Sequence, residues 1–165
     1  MKIEEAIVHQ FHAGLKMLEK TIELCPEPLW LTGSGASPNR TWHIAYHALY
    51  ATHLYLSPSL AEFAPWEKHR RNYNFFVAVP GQTEDPYLVD VAYTQADLLE
   101  YAELCHREVD FRTARLDLDA PSGFFWLPFD KLELQFYNLR HLAHHVGQLS
   151  ERIRCQANVG IGWVR

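Results

Sequence analysis

The stretch Asp130 to Cys155 reads DKLELQFYNLRHLAHHVGQLSERIRC, and its spacing predicts a long amphipathic helix. Asp130 followed three residues later by Glu133 has the form of a capping box, so a helix is expected to begin there. Leu132, Leu139, Leu142, Val146, Leu149 and Ile153 recur every three or four residues and form one apolar stripe. A second line, Asn138, His141, His145 and Gln148, runs one residue behind it. One residue turns an α-helix by ~100°, so this polar line flanks the buried face and does not oppose it. His141 and His145 lie on adjacent turns, with Cβ atoms ~5–6 Å apart. That spacing lets two imidazole nitrogens share one metal ion.

Outward from this helix, the rest of the chain reads as three further long helices. From Lys2 to Leu24, residues Ile3, Ala6, Ile7, Phe11, Leu15, Leu18 and Ile22 hold helical spacing until Pro26 and Pro28 end it. A loop over Leu31 to Ala36 follows. Ser37 and Pro38 then read as the cap and first turn of a second helix, RTWHIAYHALYATHLYL, running to about Leu56. No clean period appears from Ser59 to Gln82, where aromatic residues mix with prolines and asparagines, so a packed crossover with a short helical turn is expected. Asp85-Pro86 reads as the start of a third helix with Leu88, Val91, Ala92, Leu98, Leu99, Ala102, Cys105 and Val109 inward. A second aromatic loop, PSGFFWLPF over Pro121 to Phe129, leads into the final helix. With no convincing strand and no internal repeat, residues 1–165 read as a single all-α domain, a four-helix bundle with a long crossover connection.

Composition narrows the functions. The 165 residues are 48% hydrophobic, 13% aromatic and 21% charged, enough apolar material for a proper core and too little charge for a disordered chain. The formal charge of −5 and the lack of any basic run longer than His69-Arg70-Arg71 argue against a nucleic-acid surface. Cys25, Cys105 and Cys155 are odd in number and form no CxxC pair, which suits a reduced cytoplasmic setting. No stretch approaches the ~18 apolar residues of a membrane span, and the first residues lack a signal peptide's apolar run.

A catalytic metal site commonly has three protein ligands and one open position. The second helix offers His43, His47 and His53 as a third ligand to join His141 and His145. His47 is the choice, because Trp42, Tyr46 and Leu49 can pack beside it and it lies mid-helix, as the pair does. Asn138 and Gln148 are candidates to orient the rings through their second nitrogen, whereas His144, one step round the helix, reads as exposed. Glu103-x-x-His106 has the spacing of a di-iron motif but occurs once, which leaves a solvated helix face as the better reading. His9 and His12 on the first helix read as exposed. Cys105 falls on an apolar stripe and reads as a buried, unreactive thiol. The two aromatic loops are candidates for a lid or pocket wall, or for plain cover over the core. No phosphate-binding glycine loop or serine-nucleophile elbow is present.

His141-Leu-Ala-His144-His145-Val-Gly-Gln148-Leu149 resembles the HxxHHxGQL signature on the last helix of DinB-like (YfiT-like) proteins. Trp42-x-x-x-Tyr46-His47, continuing to His53-Leu-Tyr-Leu, is similar to the second-helix motif of that family. The helix order and chain length fit over essentially the whole chain. The resemblance implies a bundle, often dimeric, with a divalent metal, zinc or nickel, held by His47, His141 and His145. It also implies metal-dependent transfer chemistry with a low-molecular-weight thiol, since a coordinated thiol is deprotonated. Val146 departs from the pattern, in which arginine is frequent.

Three functional readings follow. One is an enzyme in which the metal activates a thiol or water for a small-molecule substrate. A second is a non-catalytic metal- or ligand-binding or sensing bundle, and a third is an interaction module whose histidines bind nothing. A homodimer is compatible with all three. Because ligating imidazoles are neutral, metal binding is expected to weaken below about pH 6.5.

Overall fold

The computed structural model describes residues 2–33, 39–71, 73–74, 76 and 91–165, and every regular element among them is helical. The elements are α1 (Ile3–Leu24), α2 (Glu27–Trp30), α3 (Thr41–Leu56), α4 (Gln95–Thr113) and α5 (Lys131–Ala157). The four long helices are those expected, and α2 is a single added turn, between α1 and α3 in sequence, that packs on α3 and α5 and buries Leu29 and Trp30.

Two helix starts differ from the sequence expectation. α3 begins at Thr41, with Arg40 as its N-cap residue and no side-chain cap; Ser37 and Pro38 lie outside the described residues. α4 begins at Gln95, ten residues or so beyond Asp85-Pro86, and those two residues and Leu88 also lie outside the description. The signal for α4 was Thr94 with Asp97: Thr94 Oγ1 accepts from the Asp97 N–H at 3.0 Å, and the Asp97 carboxylate accepts from the Thr94 N–H at 3.1 Å. A reciprocal capping box satisfies two helix-end donors, whereas an N-cap aspartate alone satisfies one. Val91 and Ala92 therefore precede the helix, and Val91 is exposed. At the start of α5, Asp130 Oδ1 accepts from the Glu133 N–H at 2.8 Å, the forward half of the expected box.

α1 packs against α4 and α5, and α3 packs against the same two helices. The core between them takes Phe11, Leu15, Leu18 and Ile22 from α1, Trp42, Tyr46 and Leu49 from α3, Leu98, Ala102 and Cys105 from α4, and Leu142, Leu149 and Ile153 from α5. Gly14 lets α1 approach α5 closely, since a Cβ there would lie 2.9 Å from Leu142 Cδ2. α3 is buried on nearly every face, so its sequence shows little amphipathic pattern.

The cross-links between α3 and α5 fix their relative direction. Lys131, at the start of α5, donates to the carbonyls of Ser57 and Pro58 just past the end of α3 and to that of Ser122 in the loop before α5. Asn138 Nδ2 donates to the Thr52 carbonyl at 3.1 Å, and Arg152 Nη1 donates to the Asn39 carbonyl at 2.9 Å and to Thr41 Oγ1 at 3.3 Å. Position rises along one helix as it falls along the other, so the pair is antiparallel. α1 and α4 are antiparallel by the same test: Gln95 Nε2 donates to the Cys25 carbonyl, while His106 meets Glu19 and Asp110 meets His12. Mid-helix residues of each pair consequently lie at the same depth.

Candidate metal centre

Antiparallel packing puts the middle of α3 beside the turn of α5 that carries His141 and His145. His47 Nε2 lies 3.2 Å from His141 Nε2, and His145 Nε2 lies 3.2 Å from the same atom. All three ligand nitrogens fall within 4.8 Å of one another, the only such group of histidine, cysteine or acidic residues among the described residues. Tetrahedral ligands at ~2.0–2.1 Å from a zinc-like ion are ~3.3 Å apart. Two of the three spacings match that edge, so the group can hold a divalent metal ion.

The outer nitrogens set the tautomers. His47 Nδ1–H donates to the Asn74 carbonyl at 2.8 Å, and His145 Nδ1–H donates to Gln148 Oε1 at 3.1 Å. With the proton on Nδ1, each ring turns a bare Nε2 towards the others. Gln148 thus has the orienting role expected of it. Asn138 does not: its amide nitrogen is spent on Thr52, its Oδ1 is buried without a partner, and so is His141 Nδ1. The carbonyl of Asn74 and the ring of Phe76, whose centroid is 4.1 Å from that of His47, went unseen in the sequence. A backbone oxygen carries no sequence signal, and Phe76 was one of several aromatics in the crossover.

Burial holds the rings neutral. It is the leading cause that lowers His47 to about 3 and His141 to about 4, with His145 next for both, and it lowers His145 as well. Among the described residues, no carboxylate is a leading influence on these three rings. Each of the three rings thus resists protonation more than an ordinary imidazole does.

The other histidines are otherwise engaged. His43 Nε2 bonds the Tyr73 carbonyl at 2.7 Å, and His53 Nδ1 lies 3.2 Å from the Tyr101 hydroxyl. His144 is exposed, as expected. Glu103 is exposed too, so no Glu-x-x-His centre forms, but its partner His106 is not a solvated residue. It bonds His12 and Glu19, which corrects the reading of His12 as exposed, while His9 does face solvent. Cys105 is fully buried, and burial pushes its thiol far above the ordinary range; Cys25 is pushed up to about 11 for the same reason. The first aromatic loop contributes Phe76 to the wall of the centre. The second packs Phe124 and Leu127 against Leu54 and Leu134, roughly two turns from His47 along α3, and leaves Phe125 exposed.

Comparisons with protein-family models, with curated proteins and with solved structures returned no match for this chain. Fold and site together define an all-helical protein in which three histidines from two antiparallel helices can hold a metal ion. No helix among the described residues is long and apolar enough to cross a membrane.

Proposed function

We propose that the chain is a divalent-metal protein of the DinB-like kind, a four-helix bundle with a long crossover, whose ion sits on His47, His141 and His145. The observation that carries this reading is the pair of 3.2 Å Nε2–Nε2 spacings with both flanking Nδ1–H groups already tied down. Zinc and nickel both accept three imidazoles and leave a position open.

An ion bound there supplies Lewis acidity, which deprotonates a thiol or water near neutral pH. The chain's own residues do the rest. Asn74 and Gln148 hold two rings at fixed angles, burial keeps the imidazoles neutral, and Phe76 covers His47 and His145 on one side. Three neutral ligands leave the full charge of a divalent ion undiminished, which suits activation of a thiol that attacks a small electrophile. A non-catalytic binding or sensing site is the second reading.

Elemental analysis of tag-free protein beside His47→Ala and His145→Ala tests the site. About one metal ion per chain, lost in both variants, is the expected result; no metal after incubation with zinc and nickel overturns it. Thiol-transfer assays on the loaded protein then separate enzyme from sensor. The family likeness also carries a dimer, which sedimentation reads directly.

A further inference from the structure

The seam between α1 and α4 holds a second histidine cluster of a different kind. His12 Nε2 lies 2.8 Å from Asp110 Oδ1, His106 Nε2 lies 3.1 Å from Glu19 Oε1, and the two Nδ1 atoms face each other at 2.6 Å. The ring planes are within 12° of parallel, and their centroids are 4.8 Å apart. That separation is what coplanar rings give when their Nδ1 atoms meet edge to edge, so the two lone pairs are collinear.

We propose that one proton is shared between His12 Nδ1 and His106 Nδ1, making the pair a proton-keyed clasp between α1 and α4. A carboxylate only accepts, so each Nε2 must be the donor, and a neutral ring is then left with a bare Nδ1. Two bare nitrogens at 2.6 Å repel; one added proton turns the contact into a charge-assisted N–H···N bond. A metal does not suit the gap, because ligands on one ion need ~3.3 Å. The surrounding charge agrees. Glu19, 3% exposed, and Asp110 are acidic, and Lys16, bonded to Glu19 at 2.6 Å, offsets only one of them. Glu23 and Glu103 act on Lys16 from further out, and no hydrogen bond or ion pair from α3 or α5 reaches the two rings among the described residues. Losing the shared proton sets lone pair against lone pair, and gaining a second sets N–H against N–H. The clasp therefore closes with one proton and opens with none or two.

A double-mutant cycle of His12→Gln and His106→Gln in the full chain, read by urea unfolding across pH, tests this. Glutamine keeps a polar head of similar reach but has no titrating nitrogen. The expected coupling is on the order of tenfold in the unfolding constant at its maximum, falling on both sides of that maximum. A coupling that is absent or flat with pH overturns the proposal. Side-chain nitrogen NMR on the unaltered protein gives an answer that needs no variant. Both Nε2 atoms protonated, with one proton coupled to both Nδ1 atoms, supports the clasp, and a bare Nε2 on either ring overturns it. A metal that stays with His47→Ala protein and is lost on adding His106→Gln also overturns it.

Discussion

Two antiparallel helix pairs in this protein each bring histidines together at mid-helix, and the two seams solve the same crowding problem differently. Between α3 and α5, three rings meet with His47 and His145 each 3.2 Å from His141, and the outer N–H groups of those two go to a carbonyl and an amide oxygen. Between α1 and α4, two rings meet at 2.6 Å, and their outer nitrogens go to carboxylates. Neutral acceptors and deep burial favour uncharged rings, which are what a metal requires. Carboxylate partners take up the outer N–H groups, which leaves the two inner nitrogens to face each other. The residue type is common to both seams; the spacing and the charge of the groups behind the rings decide what each can hold.

The sharpest break in this contrast comes from the triad. His145→Ala is expected to lower metal affinity by at least ~100-fold, since two remaining imidazoles make an incomplete set, while the α1–α4 seam stays intact. Metal content after dialysis against a weak chelator reads this. Next in size, Gln148→Leu frees His145 to rotate and is expected to weaken metal binding ~10–100-fold with little loss of fold; competition with a chromogenic chelator measures it.

Effects on the other seam belong to stability and not to metal. Glu19→Ala leaves His106 and Lys16 without their nearly buried partner, and is expected to destabilise by about 1–3 kcal/mol in urea unfolding at unchanged metal content. A change in metal content there would erase the distinction between the seams.

The metal-free protein supplies a pH prediction with a definite sign. His47 at about 3 and His141 at about 4 lie below the ordinary imidazole value of about 6.5. The unfolded chain therefore takes up protons before the folded site does. Stability is fully present above pH 6.5 and declines as the pH falls from there towards about 4. Urea titrations of His47→Leu should show a shallower decline than the unaltered protein. The smallest effect is expected from His144→Ala. This exposed ring in the middle of the motif should change stability by no more than ~0.5 kcal/mol and leave metal content as it was.

The sequence carried a good deal of this. Period and capping on α5 announced its length and its buried face, and the i, i+4 pair on that helix pointed to a shared ligand. His47 was reached by asking which histidine lay mid-helix among large apolar neighbours. Elsewhere the local signals fell short. Asp85-Pro86 read as the helix start, and Thr94-x-x-Asp97, a box whose reciprocal bonds form only in the folded turn, went unseen. Asn138 and Gln148 looked equivalent on the polar line, yet Asn138 was claimed by the Thr52 carbonyl of the neighbouring helix. His12 and His106 each read as surface residues, because the partners sought for them were on their own helices and the ones they have lie across the α1–α4 seam.

What the chain determines by itself is what depends on near neighbours: which segments become helices, which face of each is apolar, and where histidines repeat one turn apart. Tertiary structure decides what depends on two helices at once. The antiparallel register, held by Lys131 at one end of α5 and Arg152 at the other, sets His47 against His141 and not one turn away. The same kind of register on the other seam sets His12 against His106, with Glu19 and Asp110 behind them. An imidazole's chemistry follows from the atoms opposite its two nitrogens, and those atoms are distant in sequence.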